Sequence, residues 1–128
     1  MPIQRPAEVL ELVEQAINSG DVDALLAIYE PEACFNFEPG QGAIAGIQAI
    51  REALTGFLAM KPNITIEMIS LNQTGDIALI RDSWHLTGTA PDGNPFDMSG
   101  QTAVVLRRQP DGNWLTVIDN PFSLGQPG

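Results

Sequence analysis

His85 is the sole histidine of the chain, and an imidazole is the side chain best suited to move a proton near neutral pH. Asp119 supplies a carboxylate of the kind that sets an imidazole's tautomer and raises its pKa, which is how a general base is tuned. Arg81, in the same stretch as His85, carries a guanidinium able to hold a carboxylate or an enolate oxygen. Each has a plainer role to set beside that one. His85 can be a hydrogen-bonded or exposed strand residue, Asp119 can cap the Asn120-Pro121 turn, and Arg81 can pair with Asp82 or Asp119. Cys34 stands alone, so no intramolecular disulfide forms, and a lone cysteine is more often a small buried hydrophobe than a nucleophile. One histidine and one cysteine without ligand spacing argue against a metal site. No glycine-rich phosphate loop, nucleotide fingerprint or Ser-His-Asp order is present, and no cofactor is expected.

Composition narrows the field. The chain has 128 residues, 44% of them hydrophobic, which suits one globular domain over 1–128. The net charge is −10, with six Lys or Arg and no basic cluster beyond Arg107-Arg108. A polyanion or an anionic bilayer repels such a surface, so neither nucleic acid nor membrane is expected as a partner. With no apolar leader near Met1–Pro6 and no run long enough to cross a bilayer, a cytoplasmic location is the default.

The elements that must position these groups follow from periodicity. Val9, Leu10, Val13, Ala16 and Ile17 make one apolar helical stripe, which Asn18-Ser19-Gly20 stops. Asp21 caps a short second helix carrying Leu25, Leu26, Ile28 and Tyr29, ended by Pro31. A strand spans Ala33–Phe37, followed by a loop at Glu38–Gly42. A third helix after Gly46 carries Ile47, Ile50, Leu54, Phe57 and Leu58. Then come strands over Ile64–Gln73, Ile77–Thr89, Met98–Arg108 and Trp114–Asn120. Gly100 predicts a bulge or bend, Pro110–Asn113 a hairpin turn, and Ser123–Gly128 a frayed tail. Helices followed by a run of antiparallel strands make an α+β fold.

Hairpin counting brings the polar residues toward one another. The Pro110–Asn113 turn sets Asp119 roughly opposite Thr102, and the Pro91–Pro95 loop sets His85 opposite Gln101 or Thr102. Strand 77–89 has two faces: Leu79, Arg81, Ser83, His85 and Thr87 on one, Ala78, Ile80, Asp82, Trp84 and Leu86 on the other. Apolar content alone turns the second set toward the helices.

The element order, with Asn18-Ser19-Gly20-Asp21-Val22-Asp23-Ala24-Leu25 and Gly46-Ile47-Gln48-Ala49-Ile50-Arg51-Glu52, resembles the NTF2-like superfamily, in its SnoaL-like and ketosteroid-isomerase-like branch. The ending Trp114–Phe122 resembles small bacterial members of the SgcJ/EcaC type. The resemblance implies a cone of three helices on a strongly curved, mostly antiparallel sheet enclosing a pocket. It turns Arg81, Ser83 and His85 into that pocket, with Val117 and Asp119, and leaves the other face of strand 77–89 for a homodimer. Phe35, Phe37, Glu38, Thr102 and Val104 become the pocket wall. The steroid-isomerase residues do not carry over: counted from Gly20-Asp21, its helical tyrosine falls on Val13, its base on Phe37, and its protonated acid near Val104.

The expectation is a pocket for a small apolar ligand. Its enzymatic form is a cofactor-free isomerase, cyclase or lyase acting on a carbonyl compound, with His85 and Asp119 moving the proton and Arg81 holding the enolate. The alternative is a non-catalytic ligand-binding or dimerisation domain on the same cone, since a fold does not fix a function.

Overall fold

The computed structural model describes residues 3–38 and 40–124. Among these, three helices and six strands follow in the order α1 (Glu8–Ser19), α2 (Val22–Leu26), β1 (Tyr29–Phe35), β2 (Ile44–Ala45), α3 (Ile47–Ala59), β3 (Asn63–Thr74), β4 (Ile77–Thr89), β5 (Pro95–Arg108) and β6 (Trp114–Asn120). None of the helices is long and apolar enough to cross a membrane. The strands form one sheet in the order β2-β1-β6-β5-β4-β3. Only the β1–β6 pair is parallel. This is the expected α+β architecture, a helical layer on one face of a curved sheet.

Local chemistry explains the element ends. Gly20 closes α1 at φ 72°, the left-handed region a Cβ disfavours. Asp21 caps α2 by accepting the Ala24 N–H at 3.0 Å. Val9, Ala16 and Ile17 of α1 and Ile50 and Leu54 of α3 are buried under the layer. Asn18 does more than stop a helix. Its side chain donates to the Ile64 carbonyl at 3.0 Å and accepts the Ile64 N–H at 2.7 Å, which ties α1 to the edge strand β3.

Four expectations change. Tyr29 opens β1 rather than closing α2, and Pro31 lies at an exposed position in β1, where the pairing with β6 is irregular between Tyr29 and Cys34. Strand β5 starts at Pro95, not Met98, so the loop before it is short and His85 faces Ser99 instead of Gln101 or Thr102. Gly100 makes no bulge. A Cβ there would meet the Trp84 ring at 2.5 Å, so the glycine is a seat for that indole. Ser123 is anchored, its N–H and hydroxyl both donating to the Gln101 carbonyl, and Leu124 is exposed, while 125–128 of the expected tail lie outside the described residues.

The bulges sit elsewhere. One lies between Met68 and Ser70 of β3. Another, besides the irregular β1–β6 pairing, is in β6: Leu106 pairs with Thr116 but Val105 pairs with Ile118, leaving Val117 as the extra residue.

Candidate functional site

Burial along β4 alternates without interruption from Ile77 to Leu86, and the inward set is Ala78, Ile80, Asp82, Trp84 and Leu86. The orientation implied by the resemblance is therefore reversed. Apolar content decides the face, because a slip of one residue would expose Ile80, Trp84 and Leu86 together. Arg81, Ser83 and His85 lie on the outer face and do not line the cavity between helices and sheet. His85 Nε2 sits 2.7 Å from Asp97 Oδ1, and both side chains are more than half exposed. Arg81 donates to Gln101 Oε1 at 2.6 Å. His85 and Asp119 are not brought together.

Asp119 does face inward, for a reason the sequence does not reveal. Before the bulge, Trp114 and Thr116 are the buried residues of β6; after it the phase flips, so Ile118 turns out and Asp119 turns in. Val117, expected beside Asp119 on the inner face, does not line the cavity. Opposite Asp119 in the ladder stands Val104 rather than Thr102.

The space between helices and sheet is a cavity of about 410 Å³, within the size range of small-molecule sites. Helix α1 gives it Val9, Leu10 and Val13, and α3 gives Leu54 and Phe57. From β1 and the segment after it come Tyr29, Phe35, Phe37 and Glu38, and from the sheet Trp84, Leu86, Phe96, Thr102 and Val104. Phe35, Phe37, Glu38, Thr102 and Val104, the expected substrate-binding residues, are among the side chains that line this cavity. The rings form a chain: Phe35 stacks on Tyr29 at 5.9 Å and meets Phe37 edge-on, and Phe37 meets Phe57 edge-on at 6.1 Å. Trp84 is fixed three ways. It lies against Gly100, donates Nε1–H to the Pro121 carbonyl at 2.9 Å, and meets the Phe122 ring edge-on.

Besides Glu38, two aspartate carboxyl groups and a phenol project into this apolar wall. Tyr29 donates its hydroxyl to Asp119 Oδ2 at 2.6 Å. Burial pushes the Asp119 carboxyl up to about 6, against the lowering effect of the Tyr29 hydrogen bond. Burial, followed by the Asp119 charge, pushes the Tyr29 hydroxyl well above its ordinary value, so it stays a donor. Asp82 is 3% exposed, and its Oδ1 has no hydrogen-bond partner among the described residues. Burial raises it to about 7; Thr102, opposite it in the ladder, lowers it, and the Asp119 charge raises it further. Two carboxyl groups therefore gain and lose protons near neutral pH beside a fixed phenol. That is the equipment of a general acid and base, without a histidine.

The signal for Asp82 was in the sequence: a lone charge in phase with Ile80, Trp84 and Leu86. Tyr29 follows the helical apolar positions Leu25, Leu26 and Ile28 so closely that its spacing alone reads as helix. No group of three or more His, Cys, Asp or Glu among the described residues is placed to hold a metal ion.

A family model described as a SnoaL-like domain matches residues 9–117. Of the curated proteins none matches at a significant level. Among solved structures, the chain is similar to a ketosteroid isomerase-like protein from Erwinia carotovora atroseptica, with TM-score 0.77 and 23% identity over 92% of this chain and 91% of that one. It is similar to a nuclear transport factor 2 (NTF2-like) superfamily protein from Salmonella enterica, with TM-score 0.76 and 19% identity over 89% and 87%. A conserved protein from Planctomyces limnophilus gives TM-score 0.79 and 15% identity over 91% of both chains. At such identities these structures share the fold.

Proposed function

We propose that this chain, which belongs to the SnoaL-like domain family, binds a small, largely apolar molecule in its 410 Å³ cavity and transfers a proton on it at the Asp82–Asp119 pair. The observation that carries the reading is Asp82: a carboxyl group with an unpartnered oxygen, buried in an apolar cavity. Burying such a group without a partner costs on the order of 1–3 kcal/mol, a cost a purely structural position would avoid with an apolar residue. A ligand's polar end is the partner the site lacks. Asp119, held by Tyr29, is the base, and Asp82 meets the reacting end. The two interact, so they titrate as a pair. The roles expected for His85 and Arg81 lose their support, because both stand outside the cavity; so does the enolate that Arg81 was to hold.

The test is retention. Protein incubated with cell extract and then dialysed keeps an apolar small molecule, identified by mass spectrometry, whereas Val13→Trp, which fills the cavity from α1, keeps none. Asp119→Asn still retains the molecule but no longer converts it. Equal retention by wild type and Val13→Trp contradicts the binding reading; undiminished conversion by Asp119→Asn contradicts the proton transfer.

A homodimer through the outer sheet face is favoured by one observation. Ile77 and Leu79 of β4 and Ile118 of β6 are each about 40% exposed there, with Val105 paired between Leu79 and Ile118. Sedimentation at micromolar concentration tests it: a dimer for wild type and a monomer for Leu79→Asp support it, and a monomeric wild type contradicts it.

A further inference from the structure

The charges around the cavity are all of one sign. Among the described residues its lining contains Glu38, Asp82 and Asp119 and no lysine, arginine or histidine. The arginines nearest in sequence to these groups are engaged elsewhere: Arg81 is on the outer face with Gln101, Arg108 is paired with Asp76 at 2.6 Å, and Arg51 with Asp23 at 3.3 Å. An anionic ligand is repelled by whichever of these carboxyls is ionised, and the lining offers it no cation, whereas a cationic ligand supplies the counter-charge that an ionised Asp82 lacks. We infer that the polar end of the ligand is a protonated amine, seated against the unpartnered oxygen of Asp82, with its apolar body in the aromatic part of the cavity. This rests on the reading of the cavity as a small-molecule site and names the ligand's chemical class.

Three features fit a cation there. Asp82 Oδ1 is an acceptor wanting a donor, and an ammonium has only donors to offer. Tyr29, Phe35, Phe37 and Trp84 line the same space, and aromatic rings attract ammonium groups. The chain's net charge of −10 draws cations toward it from a distance. The titratable groups facing Asp82 across the cavity are Asp119 on β6, Tyr29 on β1 and Glu38 after β1; α1, α2, α3 and β3 contribute apolar side chains only. Asp82 must be ionised to hold the ammonium, and burial holds its carboxyl neutral up to about 7. Affinity for an amine therefore rises with pH to about 7 and levels off above it, by at most about tenfold per pH unit.

The probes are adamantylmethylamine and adamantylmethanol, which share a body and differ in the charged head. Binding is followed by the NMR shift of the Trp84 indole N–H. At pH 8 the amine binds roughly tenfold or more tighter than the alcohol, as a charge-assisted hydrogen bond warrants. Between pH 5 and 7 the amine's affinity climbs while the alcohol's stays flat. Asp82→Asn abolishes the preference and keeps alcohol binding, which also shows that the variant is folded. If the variant fails to fold, the wild-type pH profile decides alone. Equal binding of both probes, a preference for the alcohol, a flat profile for the amine, or a preference surviving in Asp82→Asn overturns the inference while leaving a small-molecule cavity standing. Binding of neither probe overturns both.

Discussion

Replacing Asp82 by asparagine changes how stability depends on pH. The folded protein holds this carboxyl at about 7, against an ordinary 3.8 in the unfolded chain, because burial disfavours the anion. Between those values the folded state binds the more protons, so stability falls as pH rises. The fall is about 1.4 kcal/mol per pH unit. Over the window from 3.8 to about 7 it totals roughly 4 kcal/mol at most, and above about 7 it is complete. Asparagine has no charge to desolvate and removes this slope. Urea unfolding of wild type and Asp82→Asn at fixed protein concentration, from pH 5 to 8.5, reads it directly. The stability difference should move in favour of asparagine by on the order of 2–3 kcal/mol between pH 5 and 7, then stay constant. Two parallel profiles would refute the placement of Asp82 as an unpartnered carboxyl. A difference moving the other way would mean that a cation holds it ionised.

Further outcomes follow from the same geometry. Gly100→Ala places a methyl 2.5 Å from the Trp84 ring and should cost about 1–3 kcal/mol in denaturant unfolding, with a changed tryptophan emission. Tyr29→Phe removes the hydrogen bond that lowers the Asp119 pKa, so carboxyl-carbon NMR should find Asp119 titrating above its wild-type value of about 6. His85→Ala, on the outer face against an exposed Asp97, should change stability by less than about 0.5 kcal/mol and leave probe binding intact.

Much of the architecture is legible in the residues, because it depends on local signals. Strands β4 and β6 span the same residues that alternation and turn chemistry mark, and Gly20 and Asp21 end and start helices as their conformational preferences require. The site was harder because a side chain's direction depends on phase, and phase is lost at any bulge. Alternating apolarity in β4 pointed Trp84 and Asp82 inward; matching to relatives pointed His85 and Arg81 inward, and packing favours the first by the burial of three large apolar residues. In β6 no local residue announces the extra Val117, yet it alone re-aims Asp119. Tyr29 stands next to a helical stripe and shares its spacing, yet its pairing with Thr116 draws it into β1. Gly100 carried a true signal of close approach, with an indole rather than a bulge as its cause.

The central claim is that two carboxyl groups, Asp82 and Asp119, look into an apolar cavity and exchange protons near neutrality. Carboxyl-carbon NMR titration of protein labelled at aspartate tests it most directly. The account predicts two resonances titrating at about 7 and about 6, assigned to Asp82 and Asp119 by their loss in the asparagine variants. Both resonances titrating at the ordinary 3.8 would contradict it.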